Sequence, residues 1–303
     1  MDHKDFLASL SAEQCRDLTE TSDLRGLMHL AGHFGAIGLV GGLIIARVPF
    51  WPLLMLPQGI LLVFLFTLLH EASHQTPFRS SWLNVAAAQV SGMLILLPPR
   101  WFRFFHFAHH RHTQIPGKDP ELASPKPETW GQYLLHVSGI PVWISHVRTL
   151  VHNAAGRCED EFVPVGKRQA VRNEARMMLT VYLTLLLGSF ALGTTVLIYV
   201  WVVPLLLGQP FLRLYLLAEH GRCAYVANML ENSRTTFTNA AVRRLAWNMP
   251  YHAEHHAYPT VPFHKLPDLH RLAQPHLGVT ENGYGRFHAR YAPAMNGGVE
   301  AAE

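Results

Sequence analysis

Of the chain's 303 residues only 15% are charged, against roughly 25% in soluble globular proteins. Hydrophobic residues make up 49%, and 20 residues are histidine, so the chain is neither an ordinary water-soluble domain nor a disordered tail. The formal net charge of +4 comes without a dense basic run and points away from nucleic acid. Cys15, Cys158 and Cys223 lie far apart, which predicts neither a disulfide scaffold nor a thiolate metal site.

The opening segment, residues 1–25, holds Asp2, Asp5, Glu13, Asp17, Glu20 and Asp23 and no apolar run, so no cleavable signal peptide is expected. Charged residues are then absent from 26–46 and 48–70. A helix needs about 20 mostly apolar residues to cross the hydrocarbon, so these two windows predict an antiparallel pair turned at Arg47-Val48-Pro49-Phe50-Trp51-Pro52. The window 80–99 is long enough to span, but a crossing there would separate His70 and His74 from His106, His109 and His110 by a bilayer. If these histidines share a site, 80–99 lies in the interface or re-enters, with Pro98-Pro99 ending it. The window 129–147, interrupted by Gly131, Gly139 and Pro141, suits an interfacial amphipathic helix. The last window, 177–212 with its extension toward Leu217, predicts a second hairpin turned near Gly193-Thr194. The expected fold is therefore all-α: a polytopic membrane protein with four transmembrane helices in two hairpins, interfacial helices and a histidine-rich cap. The expected organisation is a segment 1–25, a membrane domain 26–278 and a loose tail 279–303. If both termini and residues 71–176 share one face, every Lys and Arg except Arg47 lies there, and the positive-inside rule makes that face cytoplasmic.

Three clusters carry the chemistry: His70-Glu71-Ala72-Ser73-His74, His106-Phe107-Ala108-His109-His110 and His252-Ala253-Glu254-His255-His256. On a helix, positions i, i+3 and i+4 share a face, so each cluster aims its imidazoles at one point. His220 ends the last apolar window on the same side and can join them, whereas His112 points elsewhere around its helix. Nine histidines are too many for one ion and suit two ions of four or five ligands each. Imidazole suits zinc, copper, iron and nickel; the absence of cysteine ligands argues against iron–sulfur chemistry. The Glu-x-x-His signature of soluble di-iron bundles is also missing. Glu71, Glu219, Glu254 and Asp119 are candidates to accept the other ring N–H of a ligating histidine, the alternative being solvated loop charges. Asn248 either bonds a metal-bound water or caps the following helix, capping being the simpler reading. His3, His136, His146, His152, His264, His270, His276 and His288 read as ordinary surface or interface groups, and so, with less force, do the intramembrane His29 and His33.

Residues 70–74 also spell H-E-x-x-H, the zinc protease signature. That reading leaves six clustered histidines without a role, and residues 177–212 hold no acid to serve as a distal ligand. Taken jointly, the boxes and their order resemble the membrane fatty acid desaturase and hydroxylase superfamily over about residues 26–275. The stretch Asn232-Ser233-Arg234-Thr235-Thr236-Phe237-Thr238-Asn239 with Trp247-Asn248-Met249-Pro250-Tyr251-His252 is similar to its bacterial desaturase-like members. The resemblance implies a non-haem di-iron centre at the cytosolic face that uses O2 to remove hydrogen from an unactivated C–H bond of a fatty acyl or other lipid-like chain. It implies as ligands His70, His74, His106, His109, His110, His220, His252, His255 and His256. Where acyl-CoA desaturases carry an asparagine one turn before the His220 position, this chain has Leu216, which departs from an acyl-CoA-type site. No His-Pro-Gly-Gly haem motif and no rubredoxin-type cysteine pairs occur, so a separate electron donor of ferredoxin or cytochrome b5 type is implied. Hydroxylation by the same ligands stays open, as does a non-enzymatic metal-binding or transport protein.

Overall fold

The computed structural model describes residues 1–292 and 295. In chain order the helices are α1 (His3–Ser9), α2 (Ala12–Leu18), α3 (Asp23–Ile45), α4 (Trp51–Val63), α5 (Leu65–His74), α6 (Ser81–Leu94), α7 (Pro99–His112), α8 (Trp130–Ser138), α9 (Ile140–Ala154) and α10 (Arg168–Ala191). A π-helix, Ile198–Val202, leads into α11 (Val203–His220), followed by α12 (Met229–Asn232), strand β1 (Thr235–Phe237), α13 (Ala240–Leu245), α14 (His252–Ala257), α15 (Leu266–Ala273), strand β2 (Thr280–Asn282) and α16 (Tyr284–Tyr291). The chain forms two compact units, one of residues 22–107 and 139–212 and the other of residues 1–21, 108–138 and 213 onward.

The first unit is the apolar one. Ser22 opens α3 by accepting the Arg25 amide. The turn to α4 falls at the expected place, with Arg47 and Phe50 at positive φ and Pro52 in the first turn of α4. Leu65, Leu68 and Leu69 of α5 are wholly buried, and Gln75 in the left-handed region ends that helix directly after His74. Helix α6 stops at Leu94, Leu96 takes positive φ, and Pro99 opens α7, so the window 80–99 ends in a bend of 102° between the two helices. Helices α4 and α11 approach backbone to backbone: a Cβ on Gly59 would lie 1.9 Å from the Pro204 carbonyl oxygen. Close approach through small residues is the usual way for helices to pack in lipid. Gly59→Leu is accordingly expected to force the two helices apart and to destabilise the chain by about 1–3 kcal/mol or more, read as a lowered unfolding temperature in detergent.

Three helical runs are long and apolar enough to cross a membrane, 12–45, 51–74 and 198–220, and a fourth is counted if the bent pair α6 and α7 is one span. Helix α10, where a crossing is expected from residue 177 on, falls outside that set. Its first turns carry Arg168, Arg172, Glu174 and Arg176, and the uncharged remainder, 177–191, rises only about 22 Å against a hydrocarbon core of about 30 Å. The turn after α10 falls at Gly193, which adopts positive φ. The window 129–147 is two helices rather than one, broken at Gly139 in the left-handed region.

The second unit gathers short helices around a two-stranded parallel sheet, with Thr235 paired to Thr280 and Phe237 to Asn282. Trp247, Met249, Leu266 and Leu269 are among its most buried large side chains. The stretch from 279 is not the expected loose tail as far as it is described. Residues Thr280–Asn282 supply β2, and Phe287 and Tyr291 of α16 are buried against Leu217 and Ala218. Apolar spacing in Tyr284-Gly285-Arg286-Phe287-His288-Ala289-Arg290-Tyr291 accounts for this, because Phe287 and Tyr291 share a helix face. The part of that tail at 293–294 and 296–303 lies outside the described residues.

Candidate metal centre

Each box sits on a helix, as its spacing requires: His70 and His74 on α5, His106, His109 and His110 on α7, His252, His255 and His256 on α14. His220 is the last residue of α11. All except His74 and His110 are at most 5% exposed, which is unusual for imidazoles without a common purpose.

In the second unit the hydrogen bonds determine which ring nitrogens face one another. His109 gives its Nδ1–H to the Asp119 carboxylate at 3.0 Å, His220 gives Nδ1–H to the Asn232 carbonyl at 3.0 Å, and His256 Nδ1 meets the Thr113 hydroxyl at 3.2 Å. Thr113 already donates to the His109 carbonyl at 2.8 Å, so its oxygen accepts from His256. Each ring therefore turns an unprotonated Nε2 inward. The Nε2 atoms of His109 and His220 stand 3.2 Å apart, those of His220 and His252 2.9 Å, and His256 Nε2 is buried without a hydrogen-bond partner among the described residues. One nitrogen from each of His109, His220 and His256 falls within 4.8 Å of the others. Lone pairs converging in a buried space repel unless a cation lies among them, so this donor set fits a metal ion. Burial and the neighbouring imidazoles of His110, His252, His220 and His109 push His256 well below the ordinary imidazole value, which keeps it in the neutral form that ligates. His110 and His255 also meet in this unit, with ring centroids 5.0 Å apart.

In the apolar unit, His74 Nε2 and His106 Nε2 are 2.7 Å apart, and the rings of His70 and His106 are 4.2 Å apart at their centroids. His112 joins none of these groups.

The neighbouring acids divide. Asp119 holds His109 and also accepts the amides of Gln114 and Glu121, so the carboxylate is fixed from three sides. Glu219 Oε1 lies 3.4 Å from His252 Nδ1. Glu71 accepts from the Thr76 hydroxyl at 3.0 Å. Glu254, expected to support its own box, turns to the Thr235 hydroxyl and to His270 Nδ1 instead. Asn248 does not cap α14, whose N-cap is Tyr251; its amide nitrogen donates to the Phe263 carbonyl at 2.9 Å. The sequence reading missed four groups: Asn232, Thr113, Gln114, which donates to the His220 carbonyl at 2.7 Å, and Glu121, 3.5 Å from His109 Nε2. Burial opposes ionisation of Glu121, but the Lys126 ammonium outweighs it and holds the carboxyl well below the usual carboxylate range. The histidines read as ordinary are largely engaged in bonds of their own. His33 meets the Leu61 carbonyl, His288 lies between Tyr133 and the Leu214 carbonyl, and His3 reaches Asn228.

His270, read as ordinary, is the exception, since with Thr235 it pins the wholly buried Glu254 of α14 to α15 and β1. Glu254→Ala is expected to cost about 3 kcal/mol, because it leaves a buried partner uncompensated. Thermal unfolding of the two variants checks this, with Glu254→Gln falling between wild type and alanine.

The chain is mostly helical, with helices long and apolar enough to cross a membrane and converging buried imidazoles that could hold a metal ion. The family model for fatty acid desaturase matches residues 45–288, and the chain belongs to that family. It is 25% identical over 265 residues to the dihydrorhizobitoxine desaturase of Bradyrhizobium elkanii, covering 80% of this chain and 71% of that protein. The sn-1 acyl-lipid omega-3 desaturase (ferredoxin) of Nostoc sp. (strain 36) is 29% identical over 104 residues, 31% of this chain and 29% of the relative. The chloroplastic omega-6 fatty acid desaturase of Spinacia oleracea is 36% identical over 78 residues, 23% and 17%. The chain thus spans most of the first of these relatives and under a third of the other two.

Proposed function

We propose that this desaturase-family oxidoreductase uses O2 and external electrons to desaturate a fatty acyl or other lipid-like chain, with the nine box histidines as ligands of two iron ions. The observation that carries the reading is the inward set of unprotonated Nε2 atoms of His109, His220 and His256, each fixed by a bond at Nδ1. Iron bound by such imidazoles supplies O2 activation and removal of hydrogen from an unactivated C–H bond. The chain's own part is positional. Asp119, the Asn232 carbonyl and Thr113 lock three rings in tautomer and orientation, Glu219 stands behind a fourth, and burial excludes water from the ring nitrogens.

Four crossings in two hairpins, with the basic face and the boxes on the cytoplasmic side, fit the charge pattern. In this topology α10 crosses with Arg172 and Arg176 reaching toward the headgroups. A separate electron carrier is supported by the name of the Nostoc relative, an omega-3 desaturase (ferredoxin), and a basic face suits an acidic carrier.

The test uses the purified full chain. Close to two irons per chain, with O2 consumption on addition of reductant and acyl substrate, supports the proposal; zinc occupancy without O2 use sinks it in favour of metal binding or transport. Mass comparison of lipids from cells with and without the gene decides the product. Loss of two hydrogens means desaturation, and gain of one oxygen means hydroxylation, which differs only in how the carbon is placed after the first abstraction.

A further inference from the structure

Within the apolar unit a cavity of about 390 Å³ lies among α3, α4, α6, α10 and the π-helix. Its wall is apolar except for two glutamines, Gln58 and Gln89. Gln58, on α4, is 2% exposed. Its amide nitrogen donates to the Val200 carbonyl at 3.2 Å, inside the π-helix; such turns recur at functional sites. Gly41 makes room for it, since a Cβ there would stand 3.3 Å from that nitrogen. Gln89, on α6, donates from its amide nitrogen to Glu174, whose other oxygen takes the Arg100 amide at 2.7 Å. Both carboxamides are thereby held with the N–H end occupied. Both Oε1 atoms are buried and meet no donor among the described residues.

The carbonyls that end α6 at this wall are already closed. Met93 O accepts the Tyr182 hydroxyl and Leu94 O the Trp201 indole N–H, each at 2.7 Å. Two acceptors are thus left over in an otherwise apolar space, an arrangement that is costly unless a donor arrives. The rim includes Leu185 of α10, 39% exposed, on a helix that the proposed topology carries across the membrane, and Val90 of α6, 47% exposed, on the interfacial or re-entrant segment. A molecule entering past them comes from hydrocarbon, so it must be apolar overall.

We infer that this cavity binds an apolar chain carrying a hydroxyl or amide N–H donor, seated with the donor on Gln58 Oε1 or Gln89 Oε1. The inference narrows the substrate class proposed above and rests on that reading for the membrane placement of the cavity. A plain hydrocarbon tail leaves both oxygens unpaired, and a small polar solute does not reach them.

The experiment photolabels the purified full chain in detergent with a diazirine-bearing long-chain alcohol and, separately, with its methyl ether, and maps the adducts by mass spectrometry. Wild type is expected to show about tenfold more labelling of 51–63, 81–94 and 198–203 by the alcohol, the ratio for one good hydrogen bond. Gln58→Leu with Gln89→Leu should remove that preference while both probes still label, and Val200→Trp should block both. A long-chain primary amide compared with its dimethylated form reports which donor is favoured. Equal labelling of wild type by alcohol and ether overturns the inference and means the cavity takes lipid tails. So does labelling that persists in Val200→Trp, or a preference that survives in the double glutamine variant. The wild-type comparison stands even if the double variant does not fold. Labelling needs neither iron nor O2, so its failure and the failure of the desaturase reading are separately visible.

Discussion

His109→Ala is expected to abolish turnover and to strip metal from the set formed with His220 and His256, and elemental analysis of the purified variant together with O2 consumption is the measurement. The loss exceeds that of one ligand among several, because His109 is both a buried imidazole and the partner that Asp119 is built to hold. Removing it leaves a buried carboxylate facing an emptied volume, a further penalty of about 1–3 kcal/mol, so the unfolding temperature should fall as well. His255→Ala, on the same helix as His256, is expected to be equally inactive. His276→Ala is the control: that ring lies 5.6 Å from Phe6, away from every cluster, and its loss should leave turnover unchanged. Full activity in His109→Ala or His255→Ala would defeat the proposed ligand set.

The second large effect is expected from Asp119→Asn, a change that keeps size and removes charge. Both carboxylate oxygens are engaged as acceptors: Oδ1 from His109 and the Glu121 amide, Oδ2 from His109 and the Gln114 amide. An amide nitrogen at either position opposes an N–H donor, so the side chain can no longer serve both the loop and the ring. Partners of metal-bound histidines are worth about 10–100-fold in metal affinity or activity, and a loss of that order is expected here. The readout that separates positioning from general destabilisation is metal affinity by competition with a chelator, measured where thermal unfolding shows the variant still folded. An unchanged chelator midpoint means Asp119 serves the loop alone.

The boxes were legible because their information is local. Histidines at i, i+3 and i+4 point the same way on any helix, and α5, α7 and α14 are where that spacing puts them. The turns at 46–50 and at Gly193 were legible for a similar reason, since proline, glycine and breaks in apolar runs act over a few residues. Asp119 was found by chemistry alone, as a carboxylate near a histidine cluster. The same logic misassigned Glu254, because a helix neighbour two residues from His252 and one from His255 faces a different side, where His270 and Thr235 wait. It was silent on Asn232, which acts through its backbone carbonyl, and on Thr113, whose hydroxyl links the His256 ring to the His109 backbone carbonyl; neither has a spacing that marks it.

By itself, then, the sequence determined the class of element, the apolar runs and the three imidazole faces, all set by periodicities of a few residues. The tertiary structure decided what those faces meet: which carbonyl, hydroxyl or carboxylate takes each Nδ1–H, and so which nitrogen turns inward. It also decided that α16 closes against Leu217 and that the charged start of α10 shortens its apolar run. The physical reason is range. A helix face is dictated by residues within one turn, whereas the tautomer of His220 depends on a carbonyl twelve positions away and that of His256 on a hydroxyl 143 positions away, distances over which only packing speaks.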